Sequence, residues 1–168
     1  MIHVCSLARL HSTVKTTGAR HLVTLLSVDD EIDRPATVEA RNHLFLRMHD
    51  IPEPLDGHVA PGAAHVEDLI RFVRGWDQQA PLVVHCWAGI SRSTAAAFVS
   101  VCALRPQRDE REIARMLRSV SPTATPNPRI VAFADTMLER KGRMIAAVDE
   151  IGRGTMAAEG LPFRLDLL

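Results

Sequence analysis

Short apolar runs alternate along this chain with longer stretches whose apolar residues recur every three or four positions. Runs of the first kind, at Ile2–Leu7, His21–Leu26 and Pro81–Val84, read as strands, and the last, with two β-branched residues, reads as buried. Leu44, Leu46 and Met48 alternate with Phe45, Arg47 and His49, the pattern of a half-buried strand. The second kind predicts helices. Leu10–Thr17 is a short one stopped by Gly18. Pro61–Trp76 carries Val66, Leu69, Ile70, Val73 and Trp76 on one face; Asp109–Val120 carries Ile113, Met116, Leu117 and Val120. Ser93–Leu104 is apolar all round. Pro128–Glu150 carries Ile130, Phe133, Ala134, Met137 and Leu138, and is expected to bend or break at Gly142. Asp29–Glu39 is polar, contains Pro35, and reads as loop or a short helix.

Strands mostly precede position 86 and helices mostly follow it. That order predicts an α/β fold: a single domain with a central, mostly parallel sheet of about four to five strands flanked by helices. Residues 1–150 are taken as the catalytic domain. Residues 151–168 form a tail with three glycines and an apolar end, either packed on the body or mobile. A chain of 168 residues is ample for one core. No repeat or low-complexity tract is visible.

The stretch His85-Cys86-Trp87-Ala88-Gly89-Ile90-Ser91-Arg92-Ser93 joins the third apolar run to the all-apolar helix. Strand, tight loop and helix N-terminus together aim backbone N–H groups at one point, which makes an anion site. A free thiol titrates near ~8.5, but at a helix N-terminus beside a cation it falls to roughly 3.5–7.5. Cys86 is therefore expected to be a thiolate nucleophile. Arg92 offers a planar fork that fits two phosphoryl oxygens. Ser93 stands within reach of the sulfur and can stabilise it as a leaving group. Gly89 permits a turn closed to other residues. His85 is expected to pin the loop through backbone hydrogen bonds. Trp87, Ala88, Gly89, Ile90 and Ser91 complete the phosphate cradle with Arg92. Trp87 serves as a flat wall or packs beneath the loop.

This run resembles the signature of the cysteine-dependent protein tyrosine phosphatase superfamily, His-Cys-x-x-Gly-x-x-Arg-[Ser/Thr], and matches it at every fixed position. The resemblance is to compact, dual-specificity-like members of bacterial type and implies a phosphatase-like fold. It also implies an enzyme that hydrolyses phosphate monoesters through a phosphocysteine, on phosphotyrosine and on phosphoserine or phosphothreonine in proteins. Such an enzyme needs a proton donor for the leaving oxygen. In the compact members this acid ends a strand a few tens of residues before the cysteine. Asp50, 36 residues before Cys86 at the start of a Pro-rich loop, fits that place. Asp56, in the turn dipeptide Asp56-Gly57, is the alternative. The Pro126-Asn127 pair also matches the family; Asn127 either supports the loop or only caps the helix that Pro128 opens.

Composition narrows the partners. The formal net charge is zero and the pI about 7.1, so no bulk attraction to nucleic acid or membrane is implied. The expected partner is a phosphorylated protein or a small phosphate ester, with no cofactor and no metal. Only Lys15 and Lys141 among the 20 basic residues are lysines. Arg105, Arg108, Arg111, Arg115 and Arg118, interleaved with acids, read as a solvated helix face. Three cysteines with no CxxC pair do not form a disulfide framework and point to a reducing, cytoplasmic setting. Cys5 and Cys102 read as buried structural thiols; the family resemblance adds a second role, a disulfide that protects an oxidised Cys86. Met1–Arg9 has no charged n-region followed by an apolar core, so no signal peptide is visible, and the apolar run Ala95–Leu104 is too short to span a bilayer.

Other classes use some of the same residue types. Sulfurtransferases and arsenate reductases also hold a cysteine in an anion loop but do not require Asp50. A non-catalytic phosphate-binding module would keep Arg92 and lose Cys86 or the acid. A metal hydrolase assembled from His43, His49, Asp50, His58 and His65 lacks ligand-type spacing.

Overall fold

The computed structural model describes residues 1–167; Leu168, the last residue of the tail, lies outside the described residues. Among the described residues, five strands form one sheet in the order β3-β2-β4-β1-β5. They are β1 (Ile2–Ser6), β2 (His21–Leu26), β3 (His43–Arg47), β4 (Leu82–Cys86) and β5 (Phe163–Leu165). The first four run parallel. β5 pairs antiparallel with β1, placing Ile2 opposite Leu165.

Six helices cover the two faces: α1 (Leu10–Thr17), α2 (Ala63–Gly75), α3 (Arg92–Leu104), α4 (Glu110–Val120), α5 (Pro128–Met137) and α6 (Arg143–Ile151). One face carries α1 alone, packing Leu10 and Val14 on Cys5, Leu22 and Val83. The other carries α2 to α6 around the main core. β4 is central, with Leu82 to Cys86 all buried, because its neighbours cover both edges and helices cover both faces. Helix α3 is buried from Arg92 to Ala103. Its first turns present Ala95, Ala96 and Ala97, whose small side chains let the helix approach the sheet closely and bring its N-terminus against the end of β4.

Several expectations are refined. The helix beginning at Pro128 does not run to Glu150: it stops at Met137 and a separate helix begins at Arg143. Glu139 and Lys141 take left-handed backbone angles in between. Asp135 fixes the break, its carboxylate accepting from the N–H groups of Gly142 and Met144 at 2.6 and 2.9 Å. The tail is packed, not loose: it returns to the sheet as β5, with Phe163, Leu165 and Leu167 in the core. The arginine-rich segment is also less solvated than its composition suggests. Arg118 donates to the carbonyls of Ala124, Ile151, Gly152 and Arg153, and so ties α4 to the start of the tail. Arg105 reaches the carbonyl of Leu167. Val120 and Met137, expected on apolar faces, are 40% and 36% exposed.

Glu110 holds the helical layer together from inside. Its carboxylate receives Arg140 at 2.9 Å and Arg143 at 3.1 Å, and Arg140 also donates to the carbonyls of Cys102 and Pro106. Glu110 and Arg140 are 3% and 6% exposed. Removing one member of such a pair strands the other's charge in a poor solvent. Glu110→Gln is expected to lower stability by roughly 3 kcal/mol, read as a shift in the urea midpoint, with the active-site loop unchanged.

Candidate active site

β4 ends at Cys86, and the chain turns through Trp87–Ser91 into α3. At the turn Gly89 has φ +73°, and a Cβ there would lie 2.8 Å from the Ser6 nitrogen. Only glycine allows that approach of the loop to the end of β1.

Four of the five loop carbonyls find a donor from another segment. Leu7 donates to Trp87 (3.2 Å), Gly160 to Ala88 (2.9 Å), Thr125 to Ile90 (2.9 Å) and Asn127 to Ser91 (3.3 Å). No acceptor meets the N–H groups of Ala88 to Ser91 among the described residues. A loop whose acceptors are satisfied from outside and whose donors are free is an anion cradle, with the N-terminus of α3 behind it.

The side chains converge on that cradle. Cys86 Sγ lies 3.1 Å from Ser93 Oγ, both atoms buried. Arg92 is 5% exposed; Nη1 donates to the carbonyl of Met48 at 2.7 Å, which orients the guanidinium. Its Nε is buried without a hydrogen-bond partner. Asp50 stands 3.9 Å from that Nε, an ion-pair distance too long for a hydrogen bond. The Asp50 carboxylate accepts from Ser91 Oγ at 2.7 Å and Asn127 Nδ2 at 2.8 Å. Asn127 also caps α5 through the N–H groups of Arg129 and Ile130. Both readings of Asn127 thus hold at once, with one end of its amide serving each. Asp56 sits away from the loop, in the turn where His58 N donates to Leu55 O. Trp87 is 60% exposed, so it does not pack beneath the loop.

His85 is tied down from the neighbouring strand as well as beside the Cys86 backbone. It is fully buried, and its Nε2 meets Thr24 Oγ1 at 2.8 Å on the neighbouring strand. The same hydroxyl meets His43 Nε2 at 2.9 Å. One hydroxyl proton serves two rings, so one ring donates and the other accepts. Burial, with the charge of His43 a smaller cause, pushes His85 down to about 4; burial, then Arg34, pushes His43 to about 4. Both rings are neutral at pH 7 and link β3, β2 and β4 beneath the nucleophile.

The other histidines weighed as metal ligands have separate tasks. The His49 ring stacks edge-on to His58, 4.7 Å between centroids, and accepts from Val59 N. His65 accepts from Gly62 N at the start of α2. No group of three or more His, Cys, Asp or Glu side chains among the described residues is placed to hold a metal ion. Cys5 and Cys102 are buried free thiols, each pushed up to about 12 by burial.

Sequence reasoning missed the contribution of the tail. Gly160 donates to Ala88, and a Cβ on it would lie 2.9 Å from the Gly89 carbonyl. Glu159 accepts from Ser6 Oγ at 2.5 Å and pairs with Arg9 at 3.5 Å. Thr155 N donates to Pro122 O, and Gly154 N to Thr125 Oγ1. Residues 152–160 thus form a strap that braces the loop from outside. The glycines of the tail were the available signal, but they read equally as mobility. Beside Asp50, Ser91 and Asn127 a cavity of about 660 Å³ opens, with the strap as its far wall.

An anion cradle at the end of a parallel strand, a buried thiol paired with a hydroxyl, and a carboxylate held over an arginine define a cysteine-dependent phosphatase. A family model for protein-tyrosine phosphatases matches residues 14–133. The chain belongs to that family. No curated protein matches it significantly. Among solved structures, human DUSP28 aligns with TM-score 0.62 and 19% identity over 83% of this chain and 89% of its own. Human tyrosine phosphatase-like serine/threonine/tyrosine-interacting protein aligns with TM-score 0.64 and 17% identity, over 83% and 92%. The Yvh1 phosphatase domain from Chaetomium thermophilum aligns with TM-score 0.63 and 18% identity, over 85% and 93%. The single-domain α/β architecture expected from sequence is therefore the fold of the dual-specificity phosphatases, and the sulfurtransferase, arsenate-reductase and metal-hydrolase alternatives give way to it. No helix among the described residues is long and apolar enough to cross a membrane.

Two outcomes are expected. The pKa of His85 is lower folded than unfolded, so the unfolded chain binds the proton first. Stability is full above about pH 6.5 and falls as pH drops toward 4, by roughly 3 kcal/mol from this ring alone. Urea titrations across that window should show the fall, and a shallower one in His85→Asn. Gly160→Ala should lower kcat on p-nitrophenyl phosphate about tenfold, since the added methyl pushes the loop, while Tm drops by only a few degrees.

Proposed function

We propose that the protein hydrolyses phosphate monoesters in two steps through a phosphocysteine on Cys86, acting on phosphotyrosine and on phosphoserine or phosphothreonine in proteins. The observation that carries this reading is the Asp50 carboxylate, held by Ser91 and Asn127 over the loop that contains Cys86 and Arg92. Nucleophile, anion site and proton donor share one concave spot, as in-line displacement requires.

In the first step the substrate phosphate occupies the cradle. The free N–H groups and the unpartnered Arg92 Nε bind its oxygens. The Cys86 thiolate attacks phosphorus; the S–P bond forms as the P–O ester bond breaks, and Asp50 gives its proton to the departing oxygen. In the second step water attacks the phosphocysteine. Asp50 takes the water's proton, the S–P bond breaks, and Ser93 Oγ donates to the returning thiolate. Charge builds on the phosphoryl oxygens in both steps, where fixed backbone dipoles and Arg92 offset it. This chemistry calls for no metal or organic cofactor.

The test is hydrolysis of p-nitrophenyl phosphate from pH 4.5 to 8, with chelator present. Cys86→Ser should abolish turnover, and Asp50→Asn should lower kcat by 10²- to 10⁴-fold. The rate should be bell-shaped in pH, as a step that needs one deprotonated and one protonated group requires. Activity undiminished in Cys86→Ser, or lost on chelation, would sink the scheme.

A further inference from the structure

The cavity beside Asp50 has a shape that the hydrolytic reading does not use. Its near wall is the site itself: Asp50, Ser91 and Asn127. Its floor is apolar, from Pro52, Ile90 and Pro126, and Val148 of α6 closes one end. The far wall is the strap, which contributes Arg153 and Met156.

Two features of that wall stand out. Met156 is 94% exposed, the most exposed of the large apolar side chains. Arg153 is exposed and its guanidinium forms no ion pair among the described residues, whereas its backbone carbonyl is fixed by Arg118. An exposed apolar side chain and an arginine without an ion pair thus line the same cavity as Asp50. The opposing charge on this wall is Asp149, in the last turn of α6.

Geometry decides what must enter. Asp50 can protonate the leaving oxygen only within hydrogen-bond reach, so the atoms attached to that oxygen fall on the Asp50 side of the cradle. That side is the cavity. A volume of about 660 Å³ is more than a phosphorylated ring or hydroxyl side chain fills, and it matches sites that enclose larger ligands. Resting on the phosphatase reading above, we infer that the strap is a specificity wall for a phosphorylated polypeptide. Met156 packs on an apolar residue beside the phosphoresidue, and Arg153 pairs with a negatively charged one. Methionine suits a surface that must adapt to varied apolar partners, and arginine pairs bidentately with a carboxylate or phosphate.

The experiment compares kcat/KM on p-nitrophenyl phosphate with that on four phosphotyrosine peptides of common length. Their flanks carry leucine with aspartate, leucine with phosphoserine, leucine with lysine, or alanine throughout. Wild type should favour the two acidic peptides over p-nitrophenyl phosphate by tenfold or more. Arg153→Glu should reverse the order of the acidic and lysine peptides, chiefly through KM. Met156→Asp should reduce the ratio of leucine to alanine peptides by about fivefold. A phosphoserine peptide better than the aspartate one identifies a second phosphate as the anion; the reverse identifies a carboxylate. Equal treatment of all peptides by wild type, or equal losses on peptides and p-nitrophenyl phosphate in both variants, overturns the inference and leaves the hydrolytic reading intact. A wild type inert on every substrate overturns the hydrolytic reading instead.

Discussion

Turning one short loop so that its N–H groups face inward is the constraint on which the rest of this structure depends. A peptide unit that points its N–H one way points its carbonyl the other, and buried carbonyls need donors. The loop from Cys86 to Arg92 therefore requires external donors at Trp87, Ala88, Ile90 and Ser91. The chain supplies them from Leu7, Gly160, Thr125 and Asn127. Those four positions belong to the end of β1, the tail, and the segment between α4 and α5. Much of the topology outside the sheet can be understood as delivering a donor to each carbonyl. Preorganisation of this kind lets the bound anion meet dipoles already aligned, with no reorganisation during reaction.

The same logic extends beneath and above the loop. Beneath it, Thr24 bridges His43 and His85, a neutral polar contact across three strands in otherwise apolar surroundings. Above it, Arg92 is oriented by the Met48 carbonyl, and Asp50, two residues further along the same segment, returns to within 3.9 Å of it. The segment just past β3 thus both orients the Arg92 guanidinium and carries the carboxylate that faces it. Ser91 and Asn127 then remove the freedom left to the Asp50 carboxylate.

Legibility from sequence followed sequence distance. The strand, loop and helix around Cys86 are contiguous, so residue types and periodicity were enough to place the cradle. Cys86, Gly89, Arg92 and Ser93 stand where their chemistry suggested, and Asp50 rather than Asp56 faces the loop. The parallel sheet was legible because β2 and β4 are mostly apolar runs. Contacts between distant segments were not. The role of His85 depends on Thr24, which carries no pattern of its own. The break between α5 and α6 was flagged by Gly142, but what fixes it, Asp135 accepting from the N–H groups of Gly142 and Met144, carries no pattern of its own. The tail was ambiguous because its glycines suit close packing and mobility equally; what decides is the Gly89 carbonyl that Gly160 meets, more than seventy residues away.

That last separation orders events during synthesis. The nucleophile and the strand that carries it leave the ribosome long before residues 152–160, which at about 5–20 residues per second lag by several seconds. In that interval the carbonyl of Ala88 lacks its donor and the edge of β1 lacks its partner strand. A nascent chain therefore holds the reactive sulfur before it holds a rigid cradle around it. The cradle gains its last donor only when the strap is in place, several seconds of synthesis after the thiol appears.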